Sequence, residues 1–168
     1  MGNLVETSGQ PPGVPSFVEL EPVIKTLAAA RESVAVATSP SQELLDQLNA
    51  AIGLVARCKK DLAAGFEPVS TGMLAIYLGL LIKAIPSDRE MDARVFGRFL
   101  REDLMSLAPP IAAVDMACRR WRRKSKFLPA ISEMMDEVRS ATSEVRGTSE
   151  FIDRLPALRD RMVRELGN

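Results

Sequence analysis

The sequence predicts an all-α protein, a multi-helix bundle of about five to seven helices behind a disordered N-terminal tail. Three observations predict it. Apolar side chains recur at steps of three and four along most of the chain past residue 15. N-capping residues and prolines punctuate those stripes. No segment shows the period-two alternation with turn residues that a strand needs.

Residues 1–15, rich in Gly, Pro and polar side chains, carry no periodic pattern and read as a mobile tail. A helical domain is expected over 16–147. Ser16 and Glu19 have capping-box spacing, and Pro22 suits the first turn of a helix running to about Ala37. A second helix opens with Ser39 as N-cap, Pro40 in the first helical position and Gln42 at capping-box distance. Leu45, Leu48, Ile52, Val55 and Leu62 form its stripe, and Gly65 is placed to stop it. The third begins near Ser70 or Thr71. It is apolar nearly all round, which predicts the central helix, and Pro86 ends it.

Ser87 and Glu90 form a further capping-box pair. They open a helix with Met91, Val95, Phe99, Leu100 and Leu104 on one side and Arg94, Arg98 and Arg101 on the other. Pro110 is placed to begin the next helix, where Val114, Ala117, Cys118 and Trp121 share one face. After Pro129, the residues Ile131, Met134, Met135 and Val138 repeat that spacing. Gly147 punctuates, and 148–168 reads as a separate C-terminal helical segment interrupted at Pro156.

Composition narrows the chemistry. The 168 residues carry 22 basic and 22 acidic side chains, so no global field draws the molecule to a polyanion or an anionic membrane. There is no histidine, which removes His-based nucleophiles, proton shuttles and metal sites. Cys58 and Cys118 describe neither a disulfide framework nor a zinc site, and a reduced cytoplasmic setting fits them. The glycines form no phosphate-cradling or dinucleotide loop. Carboxylates such as Glu133, Asp136 and Glu137 read as a solvated helix face. Neither a catalytic centre nor a cofactor is expected.

The N-terminus has neither the basic start nor the apolar run of a secretory signal. Glu6 stands where a myristoylation signal wants Ser or Thr. The most apolar stretch, 73–85, contains Lys83 and falls short of the roughly 20 apolar residues that span a bilayer. No membrane association is expected.

The unusual segment is "ACRRWRRKSKFLPAISEMMDEV", residues 117–138, with six basic residues between Arg119 and Lys126 around the only tryptophan. On a helix continuing past Trp121, Arg119, Arg122, Arg123 and Lys126 lie together away from the apolar stripe. Such a cluster can neutralise phosphates or face an acidic partner. Trp121 itself lies on the apolar face, which favours core packing over stacking on a base. Basic side chains also suit a helix C-terminus, but six exceed what capping needs. Met134 and Met135 have core spacing, although paired methionines also make adaptable binding surfaces.

As a whole, residues 70–139 resemble the small helical proteins of phage and prophage replication modules, including helicase loaders and inhibitors that lack an ATPase domain. The matching residues are Ala117, Arg119, Arg120, Trp121, Phe127, Leu128, Pro129, Ile131, Glu133 and Met134. Leu128 and Ala130 depart from that group's usual Pro and Thr, and the match covers less than half of the chain. The resemblance implies a non-enzymatic adaptor that binds the replicative helicase and loads or restrains it. Met134, Met135 and Glu137 would form the partner-binding patch. Arg119, Arg122, Arg123 and Lys126 would face nucleic acid or an acidic partner. The alternatives are a small DNA-binding regulator using 119–126 and a structural prophage accessory protein. The sequence leaves the oligomeric state open.

Overall fold

The computed structural model describes residue 17, residues 19–85 and residues 93–167. The expected tail, Ser16 of the first capping box, Pro86, Met91 and the Ser87–Glu90 pair lie outside them. Six helices make up the described chain: α1 (Leu20–Val36), α2 (Gln42–Phe66), α3 (Thr71–Ala84), α4 (Ala93–Ser106), α5 (Ile111–Lys124) and α6 (Ile131–Leu166). The all-α bundle read from the sequence is the fold observed.

The N-termini of α2 and α3 follow from local chemistry. Ser41, in extended backbone, accepts a hydrogen bond from the Leu44 amide, so α2 starts two residues later than the Ser39 expectation. Ser70 does the same for the Met73 amide at the start of α3. Gly65 does not stop α2, which runs through it to Phe66. Its missing side chain serves packing instead. A Cβ there would fall 2.6 Å from Leu20 Cδ2 and 3.1 Å from the Ala112 Cβ, so α1 and α5 close onto α2 at this glycine.

The central helix is α5, not α3. Every residue from Ile111 to Cys118 is buried, and α5 packs against α2, α3 and α6. Three alanines in this run let its neighbours approach closely. By contrast, α3 packs mainly on α4 and α5, burying Leu74, Tyr77, Leu78 and Leu81 while Ile76 stays exposed. On α4 the buried stripe is Phe96, Leu100 and Leu104. Val95 and Phe99, expected to be apolar-facing, are about half exposed. The buried side of α4 faces α3 and α6.

The two connections flanking α3 and α5 are tied together. The Val69 amide donates to the Pro109 carbonyl and the Ile111 amide to that of Glu67, a single antiparallel bridge around Pro68 and Pro110. Pro110 is the N-cap of α5 and lies outside its first turn.

The greatest departure is α6. Gly147 does not punctuate, Pro156 does not interrupt, and one helix of 36 residues runs the length of the bundle, about 54 Å at 1.5 Å per residue. The boundary expected at 147–148 therefore falls inside a continuous helix. A helical glycine costs about 1 kcal/mol against alanine, and an interior proline about 3 kcal/mol. Packing outweighs both. Val138, Ala141, Val145, Phe151 and Leu155 are all buried, spread on either side of Gly147 and up to the residue before Pro156.

Candidate functional site

The basic stretch forms the last turns of α5 and the turn into α6; Arg119 and Arg120 are turned inward, while Arg122, Arg123, Lys124 and Lys126 are exposed. Arg119 is only 10% exposed, with Nη2 at 2.7 Å from Asp115 Oδ2. That contact is close but not aligned as a hydrogen bond, and Arg119 Nε is buried without a partner. Arg120 joins two helices at once, reaching Glu144 of α6 at 2.8 Å and Glu21 of α1 at 3.4 Å. Arg123 donates to Glu21 Oε2 at 2.7 Å. Lys124 pairs with Glu137 and stands 4.6 Å from the centre of the Trp121 ring.

The expectation that Arg119, Arg122, Arg123 and Lys126 share one outward face is therefore corrected. Arg119 is inside, Arg123 is ion-paired, and α5 ends at Lys124, so Lys126 lies in the following turn. Arg122 and Lys126 are exposed and make no ion pair with the described residues. Met134 and Met135 are corrected as well, since both are buried in the core. Glu137 is largely covered and holds Lys124. These three do not form an exposed patch.

Glu21 is the hub that sequence reasoning missed. Its carboxylate is buried in the first turn of α1 and accepts Arg120, Arg123 and Lys25, the last at 3.3 Å. Burial alone would raise its pKa. Hydrogen bonds from Arg123 and Lys25, with their charges, overcome that penalty and hold it at about 2. A lowered carboxyl pKa contributes stability above the unfolded-state value, lost as pH falls through the folded one. Because Arg123 and Lys25 are more than half exposed, solvent screens part of this. Urea titrations between pH 5 and pH 2 should show the wild type losing on the order of 2 kcal/mol more than Glu21→Gln. Parallel pH profiles would remove Glu21 from that role.

Asp115 is the second missed charge, buried in the middle of α5. Burial raises its pKa, opposed by the Arg119 charge and by the Phe17 amide, which donates to Oδ2 at 3.1 Å. The same low-dielectric pocket pushes the buried Cys118 thiol up to about 12 and raises the Tyr77 hydroxyl. Cys118 is thus a thiol, not a reactive thiolate. Both missed acids left a trace in the sequence. Asp115 and Arg119 are an acid and a base at i, i+4 within an apolar run, and Glu21 sits three residues before Ile24 on the α1 stripe.

What the segment does present is its turn. Trp121 is buried, and its indole Nε1–H donates to the Phe127 carbonyl at 2.8 Å. The Ser125 hydroxyl donates to that same carbonyl and accepts from the Phe127 amide, each at 3.1 Å. At the other end, Glu133 accepts from the Ala130 amide at 2.7 Å, the half of a capping box that an alanine N-cap permits. The backbone of 125–130 is thereby fixed from both sides. Phe127, 72% exposed, projects from it beside Lys126.

No protein-family model, curated protein or solved structure matches the chain. Among the described residues, no cluster of three or more Cys, Asp or Glu could hold a metal ion, and no helix is long and apolar enough to cross a membrane.

Proposed function

We propose that the chain is a non-enzymatic adaptor of a phage or prophage replication module, acting in the cytoplasm on a replicative DNA helicase to load or restrain it. The observation that carries the adaptor reading is the braced α5–α6 turn holding Phe127 outward. A rigid exposed aromatic next to cations is the form of a protein-binding anchor, because little side-chain and backbone freedom is lost on docking. The helicase comes from the resemblance of residues 70–139, in which Phe127, Leu128 and Pro129 of this turn take part.

The contact surface is centred on Phe127, with Arg122 and Lys126 setting register and on-rate against an acidic strip. Direct DNA reading is the weaker alternative. Arg119 and Arg120 are covered and ion-paired, and the exposed Arg123 and Lys124 each share their charge with a carboxylate of this chain. Nuclease-treated protein run with the host replicative helicase on a light-scattering column should co-elute at moderate salt. Phe127→Ser should weaken that complex at least tenfold, about 1.4 kcal/mol, without lowering the unfolding midpoint. Retained co-elution of Phe127→Ser would remove the turn as the anchor, and failure of the wild type to co-elute would remove the helicase.

A further inference from the structure

A second basic site lies away from the α5–α6 turn, where α1 and the α4–α5 connection meet the middle of α6. We propose that it binds the phosphate group of a small ligand such as a nucleoside monophosphate. Arg31, Arg139 and Arg146 converge there on an open pocket of about 430 Å³. Three guanidinium forks around one space suit a dianion with several oxygens better than a single carboxylate.

The charges do not cancel. Arg139 is paired with Asp136 at 2.9 Å. Arg146 donates to the Ala108 carbonyl at 2.9 Å and that of Leu107 at 3.4 Å, contacts that bear no negative charge. Arg31 has no ion pair with the described residues, and Glu150 at the rim brings one negative charge. Positive charge remains.

Two further features bear on how the pocket is formed. Thr142 lines the pocket and is buried, yet its Oγ1 has no hydrogen-bond partner among the described residues. A helical threonine ordinarily satisfies its hydroxyl on a carbonyl of the preceding turn and has two rotamers open to it. That Oγ1 is closed off from the open pocket, so the hydroxyl an anion there can reach is that of the exposed Ser143. The other observation is Gly147, the glycine that α6 retains at a cost in helix stability. A Cβ there would overlap Arg31 Nη1, so an alanine would make that flexible side chain swing its guanidinium away from this part of α6.

The test is an amide chemical-shift titration of the full chain with inorganic phosphate, adenosine monophosphate and a single-stranded oligonucleotide, against chloride at matched ionic strength. Phosphate and the nucleotide should give saturable shifts at residues 142–147 with a dissociation constant of about 1 mM or tighter, and chloride none. Arg31→Gln should weaken both by roughly tenfold, the loss of one charge-assisted fork. Gly147→Ala should weaken them comparably while leaving the thermal midpoint unchanged or raised, since alanine is the better helix former. No saturable shift, shifts indifferent to both substitutions, or shifts with the oligonucleotide alone would each overturn the proposal.

Discussion

Trp121→Ala should destabilise the protein by about 3–5 kcal/mol, the range for removing a large aromatic from a packed core. Chemical denaturation followed by far-ultraviolet circular dichroism reads it directly. The size of the effect has two sources. The ring is buried between α5 and the start of α6, and its indole N–H is one of two side-chain donors on the Phe127 carbonyl. Removing it opens a cavity at the helix junction and takes the main brace from the turn, so amide exchange at residues 125–130 should rise as well. Trp121→Phe restores most of the packing without the N–H. It should recover the greater part of the stability but not the protection of the turn. Loss below about 1 kcal/mol for the alanine variant would contradict the core assignment.

Asp115→Asn should cost about 3 kcal/mol, because it leaves the Arg119 guanidinium buried without its counter-charge. The amide oxygen still accepts from Phe17, so the loss isolates the ion pair from the hydrogen bond that fixes the start of the described chain. Burial raises the Asp115 carboxyl pKa, so this group opposes Glu21. Its unfavourable term grows as pH rises from the unfolded-state value through the folded one. A paired replacement, Asp115→Asn with Arg119→Met, removes both charges, keeps the acceptor for the Phe17 amide, and should return stability to within about 1 kcal/mol of wild type or above it. If the single variant is as stable as the wild type, the pair contributes nothing and Arg119 is free to turn outward.

Much of this fold was legible because helices advertise themselves locally. Ser70, Pro110 and the i, i+3, i+4 stripes on α5 and α6 are near-neighbour signals, and the helices they imply are present. The errors arose where a tertiary contact overruled a local one. Gly65 and Gly147 look like stops, but each is a glycine inside a helix at which another side chain approaches. Likewise α3 is the most apolar helix, yet α5 is the central one, since its alanines admit close neighbours and its arginines find acids on α1 and α6. The candidate site was harder to read for the same reason. The carboxylates meeting Arg120 lie 24 residues away at Glu144 and 99 away at Glu21, and no spacing rule reaches that far. Periodicity alone did favour a core place for Met134 and Met135, and the structure places them there. Phe127 stood out in the sequence only through the family resemblance, because the brace that holds its turn depends on where the Trp121 indole points.

The central claim is that Arg119, Arg120, Arg123 and Lys124 serve ion pairs within the chain, which leaves Arg122 and Lys126 as the cations of the stretch free of such a pair among the described residues. The salt dependence of oligonucleotide binding tests it most directly. For a single strand the logarithm of affinity falls against the logarithm of salt with a slope of about −0.7 per phosphate neutralised. The double variant Arg122→Gln, Lys126→Gln should therefore flatten the wild-type slope by about 1.4, while Arg120→Gln or Arg123→Gln should leave it unchanged at salt and temperature where the fold is intact. A slope that flattens progressively as Arg120, Arg123 and Lys124 are neutralised would mean that they leave Glu21, Glu144 and Glu137 for phosphate, and the segment would then be a nucleic-acid clamp after all.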